Sequence, residues 1–564
     1  MRALALVPWR PIFKKEPTVP EHSNTEPYDL FIIGGGINGC GIARDAAGRG
    51  LRVMLAEMND FGGATSSAST KLFHGGLRYL EYFEFDLVRK ALIEREVLLK
   101  AMPHISWPMR FVLPLYKGMR FDAETPTSRL LVRFMPWLRG RRPAWLIRLG
   151  LFLYDTLGGR DILPGTATLD LHRDPVGTPL QDKFAKGFEY SDCWIEDSRL
   201  VLLNARDAEQ RGGAMRSRCA VTKAERVGDL WHISFEDSQS GTTETVQAKM
   251  LVNAGGPWVE NIIHQTAGIN SSEGVRLVRG SHIVTRKLFE HDKSYFFQGS
   301  DGRIIFAIPY EQDFTLIGTT DQDHSDPDTR PECSAEERDY LLAFASEYFA
   351  KPVTKEDVVW SYSGVRPLYD DGASSATAAT RDYVLTVNQP DGTAPILNVF
   401  GGKITTYRKL AENALVEIAP FFPDFPGPWT AGVPLPGGDF AVKDVQKKLE
   451  QLEKDYPFLT PRWAQRLLRT YGTEAWDMLG TAKSAADLGR DFGATLTEQE
   501  LRWSIANEYT KTTEDMIWRR SKLGLRLSKD EVADLYKFFS DPRGKAKKTA
   551  KRKSKPVALD QEIG

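Results

Sequence analysis

The run Phe31-Ile32-Ile33-Gly34-Gly35-Gly36-Ile37-Asn38-Gly39-Cys40-Gly41-Ile42-Ala43 carries an apolar strand into a glycine turn and on into a helix. Gly34 is placed for a tight turn, Gly36 for backbone approach to a phosphate, and Gly39 for close packing of helix on strand. Gly35, Ile37 and Asn38 complete a turn whose helix N-terminus faces an anion. Leu51 to Ala56 reads as the next strand, ending at Glu57, an acid positioned to accept from a ribose hydroxyl. Strand, helix, second strand and terminal acid make a βαβ unit of about 30 residues, which points to a dinucleotide pyrophosphate. The competing reading is a glycine-rich turn in an ordinary sheet protein.

A chain of 564 residues exceeds the roughly 250–300 at which single cores stop growing, so more than one domain is expected. Its net charge of −1 supplies no overall basic field, which argues against a nucleic-acid partner. Cys40, Cys193, Cys219 and Cys333 are scattered without CxxC spacing, against a disulfide framework or a metal site and in favour of a reducing compartment. The opening Met1 to Arg10 is broken by Pro8 and does not read as a signal peptide. No run reaches the 18 apolar residues of a spanning helix, so membrane contact is expected to be peripheral.

Residues 1–26 read as a loose tail, and alternating strand and helix signals run over 27–422. A proline and glycine cluster marks a linker at 423–439. Amphipathic spacing of Leu449, Leu452, Trp463, Leu467 and Leu468 predicts a helical domain over 440–540, with Thr497 and Glu500 as a capping box. The end, 541–564, is a basic low-complexity tail expected to be disordered, and anionic lipid headgroups are its best functional partner. Between Arg129 and Tyr154, arginines alternate with Leu130, Phe134, Trp137, Trp145, Leu149 and Phe152, with no acid among them. Such a segment is either an interfacial helix or a helix pair packed on a cap domain.

After Glu57 the chain does not proceed directly to another crossover helix. It runs through Gly62-Gly63-Ala64-Thr65-Ser66-Ser67-Ala68-Ser69-Thr70-Lys71-Leu72-Phe73-His74-Gly75-Gly76-Leu77-Arg78-Tyr79-Leu80. Small hydroxyl residues and glycines suit a long loop wrapped around a cofactor larger than a nicotinamide dinucleotide, such as FAD. Lys249 to Trp258 and Leu397 to Arg408 each add a strand running into a Gly-Gly turn. The helix start after Gly401-Gly402 is suited to the flavin pyrimidine edge, where negative charge appears on reduction.

With these motifs, the chain resembles the FAD-dependent, membrane-associated glycerol-3-phosphate dehydrogenases of the D-amino-acid-oxidase-like superfamily. The resemblance runs from about residue 28 to 535 through HGGLRYLE, GFEYSDCW, GSHIV, IGTTD, YSGVRPL, TRDY, FGGKITTYRKLAE and DMIWRRSKLG. It implies an α/β fold: a Rossmann-like FAD-binding domain of the D-amino-acid-oxidase/glutathione-reductase type, an antiparallel-sheet substrate (cap) domain interleaved with it, and a helical C-terminal domain. FAD would lie along residues 29–57 and the loop, against Thr65, Ser66, Ser69, Lys71 and His74, with Gly402 and Thr405 beyond. Arg78, Tyr79, Arg381 and Lys403 would hold the phosphate of sn-glycerol 3-phosphate, a task for which guanidinium groups are suited. His282 and Arg366 would lie at the reacting carbon. Compared with the shortest bacterial members, the chain adds an N-terminal extension, residues around Lys117 to Trp137, and the basic tail.

The implied reaction moves the C2 hydrogen as hydride to flavin N5 and the hydroxyl proton to a base, giving dihydroxyacetone phosphate. Imidazole has a suitable pKa, which makes His282 the candidate base, and Arg366 would orient the C2 oxygen. The resemblance further implies a membrane quinone as acceptor and a peripheral place on an anionic membrane surface, the cytoplasmic face of the inner membrane. It leaves room for a homodimer. The rivals are a glycerol-3-phosphate oxidase that uses oxygen and a flavin-binding protein that docks at membranes without turnover.

Overall fold

The computed structural model describes residues 26–121, 125–370, 382–422 and 426–540. The expected tails and Arg381 lie outside them. Strand Tyr28–Ile33 is apolar and buried from Leu30 to Ile33, as a parallel strand covered on both faces requires. It pairs in parallel with Val53–Glu57 on one side and Thr243–Asn253 on the other, so that Ile32 faces Leu55 and Val252. Ile396–Phe400 and Ala214–Ser217 extend the sheet in parallel at its two sides, and Val384–Asn388 closes one edge antiparallel. Helix Ile37–Gly48 packs against helices Asp197–Gln210 and Tyr407–Ile418. At Gly41 a Cβ would come within 2.9 Å of the Tyr407 ring, so the absence of a side chain sets how closely two of these helices approach.

The second sheet is built around Val275–Arg286, which runs antiparallel to Phe314–Gly318 and to Val358–Tyr369. The expectation of an antiparallel cap needs one correction, because Ser294–Gln298 joins Ser106–Leu115 in parallel, making the sheet mixed. The cofactor-domain strands Thr243–Asn253 and Ala214–Ser217 lie between those two segments in the chain, giving the long crossover that a parallel pair needs.

Residues 429–440 do not behave as a loose connection. Trp429 Nε1 donates to the Asp45 carbonyl at 3.0 Å, the Arg44 and Arg211 guanidinium groups lie over the Trp429 ring, and Leu435 is buried in the main core. Helices between Val445 and Ser540 then form two further small cores, around Leu467 and around Leu501. Thr497 caps its helix by accepting from the Glu500 N–H, but the box is not completed. The Glu500 carboxylate instead binds Arg466 at 2.6 and 2.7 Å and accepts from Tyr471, because a buried acid gains more from a guanidinium fork than from a chain-end N–H. Arg520 anchors this domain beside the first sheet through Asp60, its Nη2 lying 2.8 Å from Oδ1.

Candidate active site

A cavity of about 650 Å³ lies between the two sheets. Of the residues singled out above, Gly34, Gly36, Ile37, Asn38, Glu57, Thr65, Ser66, Ser69, His74, Arg78, Tyr79, His282, Arg366, Gly402, Lys403 and Thr405 line it. Gly34 has φ of +109° and no space for a side chain, since a Cβ would meet the Ala254 carbonyl at 2.5 Å. Gly35 and Gly39 shape the turn from behind. The Gly35 N–H donates to Glu57 Oε2 at 2.6 Å, and a Cβ on Gly39 would stand 1.9 Å from the Gly34 carbonyl.

The Ser-rich loop is tied to this turn and to the cap. Ile37 N–H donates to Ser66 Oγ at 3.0 Å, Thr65 Oγ1 donates to the Val365 carbonyl at 2.6 Å, and Tyr362 OH donates to the Ser69 carbonyl at 2.8 Å. Lys71, expected to contact the cofactor, turns its side chain away from the cavity. It takes φ of 60°, does not line the cavity, and places its ammonium 2.7 Å from Asp197 with both side chains buried. Asp197 also accepts from the Ser69 hydroxyl at 2.8 Å, so the lysine neutralises a buried acid that holds the loop.

Phosphate-suited groups gather at one end. Lys403 Nζ stands 3.9 Å from the Tyr79 ring centre, and Arg78 lies on the same short turn, Leu77–Tyr82. That turn follows His74 and Gly75, which are pinned from both domains. His74 N–H donates to Thr405 Oγ1 at 3.3 Å and Gly75 N–H to Tyr154 OH at 2.7 Å. Tyr154 in turn donates to Asp192, which also binds Arg95 at 2.8 Å. Burial, assisted by Lys403 and Arg95, pushes the His74 imidazole down to about 4, so it stays neutral.

His282 and Arg366 come from paired strands, with His282 opposite Tyr362 and Val278 opposite Arg366. Both depend on glycines opposite or between them. A Cβ on Gly318 would lie 2.1 Å from His282 Cδ2, and one on Gly280 would lie 2.3 Å from Arg366 Nη2. The His282 ring stacks on Tyr362 with centroids 4.8 Å apart and shares a 2.9 Å hydrogen bond between Nε2 and Thr70 Oγ1. Burial first, then the charges of Arg366 and Lys71, hold its pKa well below the ordinary imidazole value. Arg366 Nη2 donates to Thr319 Oγ1 at 3.2 Å, and its Nη1 pairs with Asp321. Asp321, Thr319, Thr70 and Tyr362 were not singled out from the sequence, although IGTTD, the Ser-rich loop and YSGVRPL contain them. Arg303, also in the lining, stands in no motif.

The residues fit FAD. The site offers a helix N-terminus, a turn with no Cβ in the way, a carboxylate at the end of the second strand, and two further Gly-Gly corners, Gly255-Gly256 and Gly401-Gly402, facing one cavity. Fold and site together define a flavoprotein oxidoreductase. A family model described as FAD dependent oxidoreductase matches residues 29–408, and one described as the C-terminal domain of alpha-glycerophosphate oxidase matches 428–537. The chain is 48% identical over 516 residues to the D-erythritol 1-phosphate dehydrogenase of Brucella abortus (strain 2308), covering 92% of this chain and 98% of that protein. It is 45% identical over 507 residues to the aerobic glycerol-3-phosphate dehydrogenase of Escherichia coli (strain K12), covering 90% and 96%. The solved glycerol-3-phosphate dehydrogenase of Bacillus halodurans complexed with FAD shares the fold, with a TM-score of 0.67 at 24% identity over 93% of this chain and 97% of that one. The chain belongs to the FAD-dependent glycerol-3-phosphate dehydrogenase family.

Proposed function

We propose that this enzyme oxidises the C2 hydroxyl of sn-glycerol 3-phosphate to the ketone of dihydroxyacetone phosphate and passes the electrons to a membrane quinone. The observation that carries the reading is one cavity holding a neutral buried imidazole and a guanidinium, His282 and Arg366, together with a cluster of Arg78, Tyr79 and Lys403. A phosphomonoester needs several cations in a partly closed site, and the Arg78 and Lys403 end supplies them. Arg381 is assigned to the same phosphate. Arg366, steadied by Asp321 and Thr319, orients the C2 oxygen, and His282 takes the hydroxyl proton while Thr70 and Tyr362 fix its ring plane. Bound FAD supplies the two-electron acceptor.

In this reading the enzyme is a peripheral protein at an anionic membrane surface, on the cytoplasmic face of the inner membrane. No helix among the described residues is long and apolar enough to cross a membrane, while Phe134, Trp137 and Phe152 stand 71, 69 and 56% exposed.

A second reading is favoured by the name of the 48%-identical relative: a four-carbon substrate, D-erythritol 1-phosphate. Anaerobic titration tests both. Glycerol 3-phosphate is expected to bleach the flavin at the lower concentration, with colour returning on addition of quinone. Tighter, faster bleaching by D-erythritol 1-phosphate would reassign the substrate. Recovery in air with stoichiometric peroxide and none with quinone would make the enzyme an oxidase.

A further inference from the structure

Trp518 of the C-terminal domain lies flat on Trp360 of the cap, with ring centroids 4.5 Å apart and planes 13° from parallel. Trp360 meets Tyr362 at 5.1 Å, and Tyr362 stacks on His282 at 4.8 Å with planes 9° apart. The rings of two domains therefore form one continuous column that ends at the imidazole in the cavity. The strand pleat supplies its middle, because Trp360 and Tyr362 are two residues apart and share a face of Val358–Tyr369. The outer end is held by a segment tied to both other domains. Arg520 binds Asp60 beside the cofactor sheet, and Arg526 binds Glu311 at 3.0 Å and Asp313 at 3.1 Å in the turn between two cap strands. Between these anchors Lys522 donates to the Trp518 carbonyl. Gly524 leaves room for the indole, since a Cβ there would stand 2.6 Å from Trp518 Cζ2. Asp515–Arg520 is itself a turn of π-helix, a rare geometry that recurs at functional sites.

We propose that Trp518 is a positioning residue for the oxidation: acting through Trp360 and Tyr362, the C-terminal domain holds the plane of the His282 ring. The inference rests on the base role given to His282 above. The imidazole lies between two strands, with the Gly318 backbone on one side and the Tyr362 ring on the other, and its hydrogen bond to Thr70 fixes one atom. A single hydrogen bond leaves the ring plane undetermined, and the stacked face of Tyr362 determines it. Tyr362 is tethered at its tip, where the hydroxyl donates to the Ser69 carbonyl at 2.8 Å, so the tilt of its ring follows the half-buried Trp360 and the indole behind that. Stacked rings prefer defined offsets, so a flat neighbour transmits orientation where an aliphatic side chain transmits only contact. A base must keep its nitrogen within hydrogen-bond reach of the proton it takes, and small misplacements slow the transfer.

The test uses the full-length holoenzyme and anaerobic stopped-flow bleaching by glycerol 3-phosphate, with thermal melting as the control for folding. Trp518→Leu is expected to slow flavin reduction at saturating substrate by about 2- to 12-fold, the worth of one aromatic pair. The half-saturating concentration is expected to stay within about 2-fold, because the indole touches no part of the substrate pocket. Trp518→Phe keeps a flat ring and is expected to restore most of the rate. Gly524→Ala displaces the indole without removing it and is expected to slow reduction in the same way, so it decides the matter should Trp518→Leu fail to fold. In a His282→Ala background, Trp518→Leu is expected to add no further slowing. Slowing of equal size in that background would mean that the indole acts elsewhere and would overturn the proposal. So would a Phe variant as slow as the Leu variant, or folded Trp518→Leu and Gly524→Ala proteins that reduce at the wild-type rate while His282→Ala is slow. Wild-type reduction in His282→Ala itself would instead remove the base role, and the positioning role with it.

Discussion

Asn38 Nδ2 donates to the carbonyl of Gly401 at 3.0 Å, joining the glycine turn after the first strand to the Gly-Gly corner after Ile396–Phe400. The two turns face one cavity because their strands, Tyr28–Ile33 and Ile396–Phe400, both pair with Thr243–Asn253 in the same parallel direction. Asn38→Ala removes that cross-link without altering the turn. Flavin affinity measured by fluorescence is expected to fall by about 2- to 12-fold, the worth of one ordinary hydrogen bond. Gly39→Ala is expected to yield protein without flavin, because its Cβ has no space beside the Gly34 carbonyl. A Gly39→Ala variant that purifies yellow at full occupancy would contradict the packing described.

His282→Ala is expected to slow single-turnover flavin reduction by about 10²- to 10⁴-fold at saturating substrate, the usual worth of a positioned base. Since burial and Arg366 keep the imidazole neutral well below its ordinary pKa, the acid limb of kcat/KM against pH is expected below pH 6.5. An acid limb centred at or above 6.5, or reduction unchanged in the variant, would remove His282 from the base role.

The buried histidines also set a stability slope. His74, pushed down to about 4, and His104 and His282, both well below 6.5, bind fewer protons folded than unfolded. Their stabilisation is complete above the unfolded pKa, about 6.5, and is lost as pH falls below it. For His74 the window runs from 6.5 down to about 4, with a slope of about 1.4 kcal/mol per pH unit. Denaturant titrations at pH 7, 6 and 5 are expected to show progressive loss, and His74→Gln is expected to flatten the profile.

Lys71 separates a stability role from a cofactor role. Lys71→Ala leaves Asp197 buried without its cation, at an expected cost of about 3–5 kcal/mol. Lys71→Ala/Asp197→Asn removes both charges and is expected to recover part of that loss. Protein that folds at low temperature is expected to retain FAD affinity within a few-fold. A selective loss of FAD with unchanged thermal stability would restore the lysine to the cofactor.

Much of the cofactor half was legible because short-range rules write it. The apolar run ending at Ile33, the glycines at 34 to 39 and the acid at 57 each do a local job within one βαβ unit, and Thr65, Ser66 and Ser69 follow in the adjoining loop. The placement of Lys71 away from the cavity was not legible for the same reason. Its neighbours in sequence face the cavity, but its partner, Asp197, lies on a different element and is visible only once the chain is folded. Asp321 and Tyr362 went unselected because each acts through another side chain, Arg366 or His282, brought opposite by sheet register. Within the expected linker, burial of Leu435 and the Trp429 bond to Asp45 are contacts that composition alone does not reveal.

The sequence by itself determined the dinucleotide corner, the loop chemistry and the presence of basic residues and a histidine suited to a polyol phosphate, since propensity, glycine placement and residue chemistry are local properties. Tertiary structure decided which of those residues share a cavity and which only hold it. That depends on strand register and crossover between segments hundreds of positions apart, as with Asn38 and Gly401, and on burial, which sets the charge state of His282 and turns Lys71 inward.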